Sequence, residues 1–350
     1  MNAFTNFALH NVAELDPAPG GGVFLRRFPA TVRAALSPLG RMVAEDAAGV
    51  ELRFVTASPN FRLSVGSLPS FLSPHERHGQ ELVLLRGAHV HSIHRLEPGR
   101  INHIHVTRLG GPDPVDERPA PSQGRAGFAP QVWRVLFGRY PAIFHGLETF
   151  GETSRPPAPG ETPARRWLAY GSSITNGASP GLHLNSYPYH AARAAGLDVI
   201  NQGLSGSCLC EPEVAAYLGA RDDAELMTLE IGVNMRGAFT PEEFRARAET
   251  LLDAVTGRPG RRVALITIFP NLATAENAAR QTAFDHALRD LHASGRWPGL
   301  ALIEGADVLD DPGDLGVDLI HPSDYGHARM GLRLGERLAA LIPAQNAARP

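Results

Sequence analysis

Ser173 has the surroundings of a reactive hydroxyl. It lies in Gly171-Ser172-Ser173-Ile174, after the apolar run Trp167 to Tyr170 and before Thr175-Asn176-Gly177. A serine just past the end of a strand stands at the carboxyl edge of a sheet, where open α/β folds bind ligands. Taken alone, a Gly-Ser turn reads equally well as a plain loop. Three later segments add chemistry to it. They are Asn201-Gln202-Gly203-Leu204-Ser205-Gly206-Ser207, Glu230-Ile231-Gly232-Val233-Asn234-Met235 and Asp318-Leu319-Ile320-His321-Pro322. In this order they supply a nucleophile, two oxyanion donors and an Asp/His pair.

A serine hydroxyl attacks poorly until a base takes its proton. His321 is the candidate base. Asp318, three residues earlier on the same loop, is placed to hold the imidazole in one tautomer and stabilise its charged form. The tetrahedral intermediate of acyl transfer needs donors aimed at its oxyanion, and losing one costs about 3 to 4 kcal/mol. The backbone N–H of Ser173, the backbone N–H of Gly206 and the side-chain amide of Asn234 are the candidates. Glycine suits the second position because the backbone must approach the substrate closely.

These residues need a scaffold, and the texture of the chain predicts one. After residue 165, strand-like runs Trp167–Tyr170, Val199–Gln202, Leu226–Ile231, Val263–Phe269 and Leu300–Ile303 alternate with helical stretches. That alternation predicts a parallel sheet with helices on both faces. Thr240-Pro241-Glu242-Glu243 reads as a capping box, and Gly196 as the left-handed close of the helix containing His190 to Ala195. Ala275–Ala293 and Tyr325–Leu341 are the other long helices expected. Residues 1–150 differ: Val50–Phe54, Glu81–Arg86, Ile101–Thr107, Gln131–Phe137 and Ala142–Phe150 are short β-favouring runs split by Gly and Pro. They predict an all-β sandwich, jelly-roll-like in type. Gly110–Pro130 reads as a long surface loop, and the proline-rich 151–164 as a linker. A catalytic domain is then expected over residues 165–345.

Together the four segments resemble the motif blocks of the SGNH hydrolase (GDSL esterase/lipase) superfamily. Ser173 matches the block I serine, Gly206 the block II glycine, Asn234 the block III asparagine, and Asp318 with His321 the block V pair. The likeness spans about residues 165 to 342. Ser172 stands where an aspartate usually precedes the nucleophile, and Met235 where an aspartate often follows the asparagine. Both replacements occur in the subgroup whose blocks read like Tyr-Gly-Ser-Ser-Ile-Thr and Gly-x-Asn-Met. The resemblance implies a flavodoxin-like three-layer α/β/α domain and metal-independent ester chemistry. It also fits relatives with an N-terminal β-sandwich, among them carbohydrate deacetylases and acyltransferases that decorate natural products. The α/β-hydrolase pattern fits less well: Gly171 to Thr175 lacks the second glycine of Gly-x-Ser-x-Gly, and the acid and base lie side by side.

The remaining features bound the function. A formal charge of −3 offers no basic footprint for nucleic acid. All 33 basic residues are arginine, so no lysine serves as base, Schiff base or phosphate anchor. No apolar stretch approaches the ~20 residues of a membrane span. Met1–Pro19 does not read as a signal peptide, and Cys208 and Cys210 read as free thiols, so a cytoplasmic location is expected. His89, His91, His94, His103 and His105 form a sequence cluster that invites a metal, but no paired Cys or acidic ligands accompany it. No metal and no cofactor is expected. His327 follows Pro322-Ser323-Asp324-Tyr325-Gly326 in the first turn of the expected last helix and is a weaker base candidate than His321, because Asp318 is placed to orient the latter.

The expectation is a serine esterase that hydrolyses a short-chain acyl ester, such as an O-acetylated carbohydrate or small metabolite, through an acyl-serine. The same residues serve an acyltransferase moving the acyl group to another hydroxyl. A carbohydrate-binding protein with a dead hydrolase domain is the reading from a different class, and the complete constellation argues against it.

Overall fold

Alternating burial drives the first half of the chain into antiparallel sheets. The computed structural model describes residues 4–69, 80–107, 127–272 and 274–342, so most of the expected Gly110–Pro130 loop lies outside the described residues. In chain order the elements are Ala8–His10 (β1), Glu14–Pro17 (β2), Val23–Arg26 (β3), Ala30–Ala35 (α1), Pro38–Val43 (α2), Glu51–Thr56 (β4) and Asn60–Ser67 (β5). Gln80–Arg86 (β6), His89–Leu96 (β7), Ile101–Thr107 (β8), Trp133–Leu136 (β9), Ala142–Glu148 (β10) and Ser154–Arg155 (β11) follow. One sheet runs β1-β4-β9-β6-β7, with β11 paired to β4; the other runs β2-β3-β10-β5-β8. Leu52, Phe54, Leu84 and Val135 of the first meet Phe61, Leu63, Val65 and Val106 of the second in one core. This is the predicted sandwich.

β6 is buried on both faces. Leu82 and Leu84 enter the sandwich core, while Val83 and Leu85 enter the core of the following α/β layer. A strand that is apolar without alternation is the mark of such double coverage.

The second half holds Arg166–Gly171 (β12), Ser173–Asn176 (α3), Tyr187–Ala195 (α4), Asp198–Gly203 (β13), Pro212–Ala220 (α5) and Leu226–Glu230 (β14). Pro241–Val255 (α6), Arg262–Ile266 (β15), Ala275–Ala293 (α7), Leu300–Ile303 (β16), Gly305–Val308 (α8) and Asp324–Leu341 (α9) complete it. The five strands are parallel, in the order β13-β12-β14-β15-β16. That is the flavodoxin-like order, whose chain reversal falls between β12 and β14. Leu168 and Tyr170 face a core shared with α5, α6 and α7; Trp167 and Ala169 face one shared with α4 and α9. The expected helices are present. The Thr240 hydroxyl accepts from Glu243 N–H at 3.2 Å while the Glu243 carboxylate accepts from Thr240 N–H at 2.8 Å. Gly196 closes α4 at φ +69°.

Two features tie the halves together. Phe28, Val32 and Leu36, around α1, lie in the same core as Val214 and Leu218 of α5. The second is at β13, an edge strand that pairs with β12 on one side. An edge strand leaves alternate carbonyls without partners. Here His10 Nε2 meets Val199 O at 2.7 Å, Asn11 Nδ2 donates to Asn201 O at 2.9 Å and Arg27 Nη1 to Gly203 O at 3.0 Å. Side chains from the sandwich half thus seal the edge at every second residue. Arg53 adds a bidentate pair with Asp198 at 2.7 Å for each bond, both residues buried. The proline-rich 151–164 is also tied down, by β11 on β4 and by Gln131 Nε2 donating to Glu161 at 3.0 Å.

Candidate active site

The four sequence segments meet at the carboxyl edge of the parallel sheet. Ser173 follows β12 and opens α3, Gly206 follows β13, and Asn234 follows β14. β12 and β14 are the strands flanking the switch point, so the fold itself brings the serine to the binding crevice. Asp318 and His321 arrive on the loop before α9.

The geometry is a continuous relay. Ser173 Oγ lies 2.6 Å from His321 Nε2, and His321 Nδ1 lies 2.5 Å from Asp318 Oδ2. An ionised carboxylate only accepts, so Nδ1 carries the ring proton and Nε2 is left to accept from the serine hydroxyl. The other Asp318 oxygen accepts from Ile320 N–H at 3.0 Å and His321 N–H at 2.9 Å. Partial burial pushes the Asp318 carboxyl up, but its bonds from the His321 ring, His321 N–H and Ile320 N–H outweigh this and hold it below the usual range. It stays ionised, as an imidazole orienter must. Leu319 carries the backbone cost of the tight loop, at φ +58°, with its carbonyl held by Leu272 N–H at 2.9 Å.

The three donors are disposed around the same edge. Ser173 N–H is at the first position of α3, where a helix supplies no acceptor of its own. Gly206 takes φ +65° in a turn closed by Ser207 N–H to Leu204 O at 3.1 Å. A side chain would be strained there. Asn234 Oδ1 accepts from Cys208 N–H at 3.1 Å.

Several contributing residues carry no recognisable motif. Arg139, from the β9–β10 connection, donates to Asn176 Oδ1 at 2.8 Å and to Ser205 Oγ at 3.0 Å. Arg27 grips the end of β13 as described, and burial lowers its guanidinium to about 10. Both buttress the loop carrying Gly206 from the sandwich half, and neither has a local signal in sequence. Leu39 of α2 is 44% exposed and borders Gly206; a methyl added to Gly206 would lie 2.9 Å from its Cδ2.

Other candidates fall into structural roles. His327 is buried: Tyr187 N–H donates to Nδ1 at 3.1 Å and Nε2 meets Ala178 O at 2.9 Å. Burial lowers it to about 4, so it is a neutral packing residue. Tyr187 sits behind the nucleophile turn, its hydroxyl 2.7 Å from Thr175 Oγ1. Cys208 and Cys210 are buried and free. Asn271, in the turn after β15, accepts from Arg236 at 2.7 Å and so links that turn to the loop after Asn234. The histidine cluster divides between sheets: His89, His91 and His94 lie on β7, His103 and His105 on β8. Among the described residues no three His, Cys, Asp or Glu side chains come together as metal ligands. Among the same residues no helix is long and apolar enough to cross a membrane.

The model of the GDSL-like lipase/acylhydrolase family matches residues 169–329, which include Ser173, Gly206, Asn234, Asp318 and His321. This segment belongs to that family. The GDSL-like domain therefore accounts for the parallel sheet and the site, with the sandwich preceding it. No curated protein sequence matches the chain. Solved structures show that the whole two-part fold recurs. The salicylyl-acyltransferase SsfX3 from a tetracycline biosynthetic pathway has a TM-score of 0.77 at 18% identity, covering 97% of this chain and 96% of its own. A family two carbohydrate esterase from Clostridium thermocellum, in complex with cellohexaose, scores 0.60 at 13% identity over 95% of this chain and 98% of its own. One from Cellvibrio japonicus scores 0.58 at 14% identity, over 97% and 96%. The GDSL-like domain and its sandwich are an architecture shared by all three.

Proposed function

We propose that this GDSL-family ester hydrolase works as a serine esterase through an acyl-serine, with Ser173, His321 and Asp318 as its triad. The observation that supports the reading most directly is the hydrogen-bonded chain from Ser173 Oγ to His321 at 2.6 Å and on to Asp318 at 2.5 Å. His321 Nε2 takes the proton as Ser173 attacks the acyl carbonyl. The oxyanion is held by Ser173 N–H, Gly206 N–H and the Asn234 amide. His321 then protonates the leaving alcohol, and water activated at the same nitrogen releases the acid. A short acyl group on a carbohydrate or small-metabolite hydroxyl is the proposed substrate. Leu39 supports the short chain, because it crowds the oxyanion side of the site.

The second reading is an acyltransferase, in which an acceptor alcohol replaces water at the acyl-serine. Exposed aliphatic side chains around the Asp318–His321 loop, Leu272, Val317 and Leu319, favour it by offering an apolar surface for an acceptor. The test is turnover of p-nitrophenyl acetate to octanoate by wild type and Ser173→Ala, with and without an added alcohol. Serine-dependent release of acid, unchanged by the alcohol and fastest on acetate, is the expected result. Acyl transfer in preference to water selects the second reading. Turnover and organophosphonate labelling both independent of Ser173 would overturn the triad.

A further inference from the structure

Ser173 presents its hydroxyl to His321 from a sharp turn, and that turn is gripped from behind by a buried acid. We propose that Glu230 is a positioning residue for the nucleophile, holding Ser172 on one side of Ser173 and Thr175 on the other so that the Ser173 hydroxyl and N–H face one reacting carbonyl. The inference rests on the proposed role of Ser173.

Glu230 ends β14 and is paired in register with Gly171, which ends β12. Its Oε2 accepts from Ser172 N–H at 2.7 Å, from Ser172 Oγ at 2.7 Å and from Thr175 Oγ1 at 3.0 Å. One oxygen therefore fixes the residue before Ser173 and the residue two after it. Ser172 Oγ passes the constraint on, accepting from Ile174 N–H at 3.2 Å to cap α3. Gly171 makes the approach possible, since a methyl there would sit 2.6 Å from Glu230 Oε2 and 2.2 Å from Thr175 Oγ1. The second carboxyl oxygen, Oε1, is buried with no partner. Burying an acid with one unpartnered oxygen is costly, so its retention at this point asks for a role.

The groups that bear on the carboxyl are Ser172, Thr175, Tyr187 and Cys208, and none of these is a cation. Burial foremost pushes the Tyr187 phenol and the Cys208 thiol well above their ordinary values, so both stay neutral. Burial likewise raises Glu230 to about 7, against the pull of the Ser172 and Thr175 bonds. Hydrogen bonds to an ionised acceptor are roughly twice as strong as those to a neutral one. The grip on the turn thus tightens as Glu230 loses its proton.

Glu230→Gln tests this, because an amide keeps one acceptor oxygen and cannot ionise. Kinetics on p-nitrophenyl acetate across pH, the rate of organophosphonate labelling of Ser173 and thermal melting are measured for wild type, Glu230→Gln, Ser172→Ala and Ser173→Ala. Glu230→Gln is expected to lower kcat about 10- to 100-fold with KM little changed, the scale of a small misplacement of a reacting group. Labelling slows by the same factor. The acid limb of log kcat becomes shallower in Glu230→Gln, which has no carboxyl to protonate at this position. Ser172→Ala, which leaves the acid in place but removes the Ser172 Oγ bond to Glu230 and the cap on Ile174 N–H that passes the constraint on, moves kcat and labelling the same way by a smaller factor. If Glu230→Gln melts too low to assay, this variant decides. Wild-type kcat and an unchanged acid limb in both variants, with Ser173→Ala dead, would overturn the role of Glu230 and leave the triad standing. An active Ser173→Ala would overturn both.

Discussion

Cys208 N–H donates to Asn234 Oδ1 at 3.1 Å, and this bond fixes which end of the carboxamide faces the site. With its oxygen occupied, the amide presents its NH2, the donor an oxyanion needs. Asn234→Ala should lower kcat by about 100- to 1,000-fold with little effect on KM, the loss typical of a single oxyanion donor. Steady-state kinetics on a p-nitrophenyl ester separates the two parameters. Asn234→Asp should fare no better, because a carboxylate there accepts from Cys208 and repels the oxyanion.

Leu39 comes from the sandwich half yet lies against Gly206, the proposed oxyanion glycine. Replacing it by alanine opens space beside Gly206 without touching a polar group. Leu39→Ala should shift the preferred p-nitrophenyl ester from acetate towards longer acyl chains while acetate turnover changes less than about threefold. One missing methylene contact in an apolar pocket is worth about 1 to 3 kcal/mol, so the shift is measurable. An unaltered chain-length profile would separate Leu39 from specificity.

Arg53 bridges two buried acids, Asp198 in β13 and Glu51 in its own strand, the latter at 2.8 Å. Removing one member of a buried network strands the rest, at a cost of about 3 to 5 kcal/mol. Arg53→Met should lower the urea midpoint accordingly. For the same reason residues 165–345 without the sandwich should fail to yield folded protein. That fragment exposes the edge of β13 and loses Phe28, Val32 and Leu36 from its core.

Three histidines, His10 and His327 buried and His183 half-buried, make the fold sensitive to acid. Burial foremost lowers His10 to about 4, His183 to about 3 and His327 to about 4, against an ordinary value of 6.5. Between roughly pH 6.5 and 4 the unfolded chain binds protons at these positions and the native chain does not, so stability falls as pH falls through that window. Glu230 and Asp285 work in the opposite sense: burial raises them to about 7 and about 6, so the native chain binds their protons before the unfolded chain does as pH falls. The three histidines outnumber these two acids, and chemical denaturation should show a net loss from pH 7 to pH 5. His327→Gln, whose amide offers one acceptor and one donor without ionising, should flatten that slope.

The sequence alone determined the candidate site residues and the scaffold of the second half. Ser173, Gly206, Asn234, Asp318 and His321 were legible because each lies in a short local pattern at a strand end or on one loop. The helices were legible because capping and periodicity act within a few residues: Ala275–Ala293 and the Thr240 box match the structure. The sandwich was legible as a class from its short β-favouring runs, but the place of Asn60–Ser67 between β10 and β8 was not, because pairing is decided by strands distant in the chain. Tertiary structure alone decided what supports the site. Arg27, Arg139 and Leu39 reach it from residues that look unremarkable in sequence, across separations no local pattern encodes. It also dispersed the histidine cluster, because neighbours in the chain were dealt to different sheets. Local hydrogen bonding writes itself into neighbouring residues; burial, edge sealing and the grip of Glu230 exist only once distant strands have met.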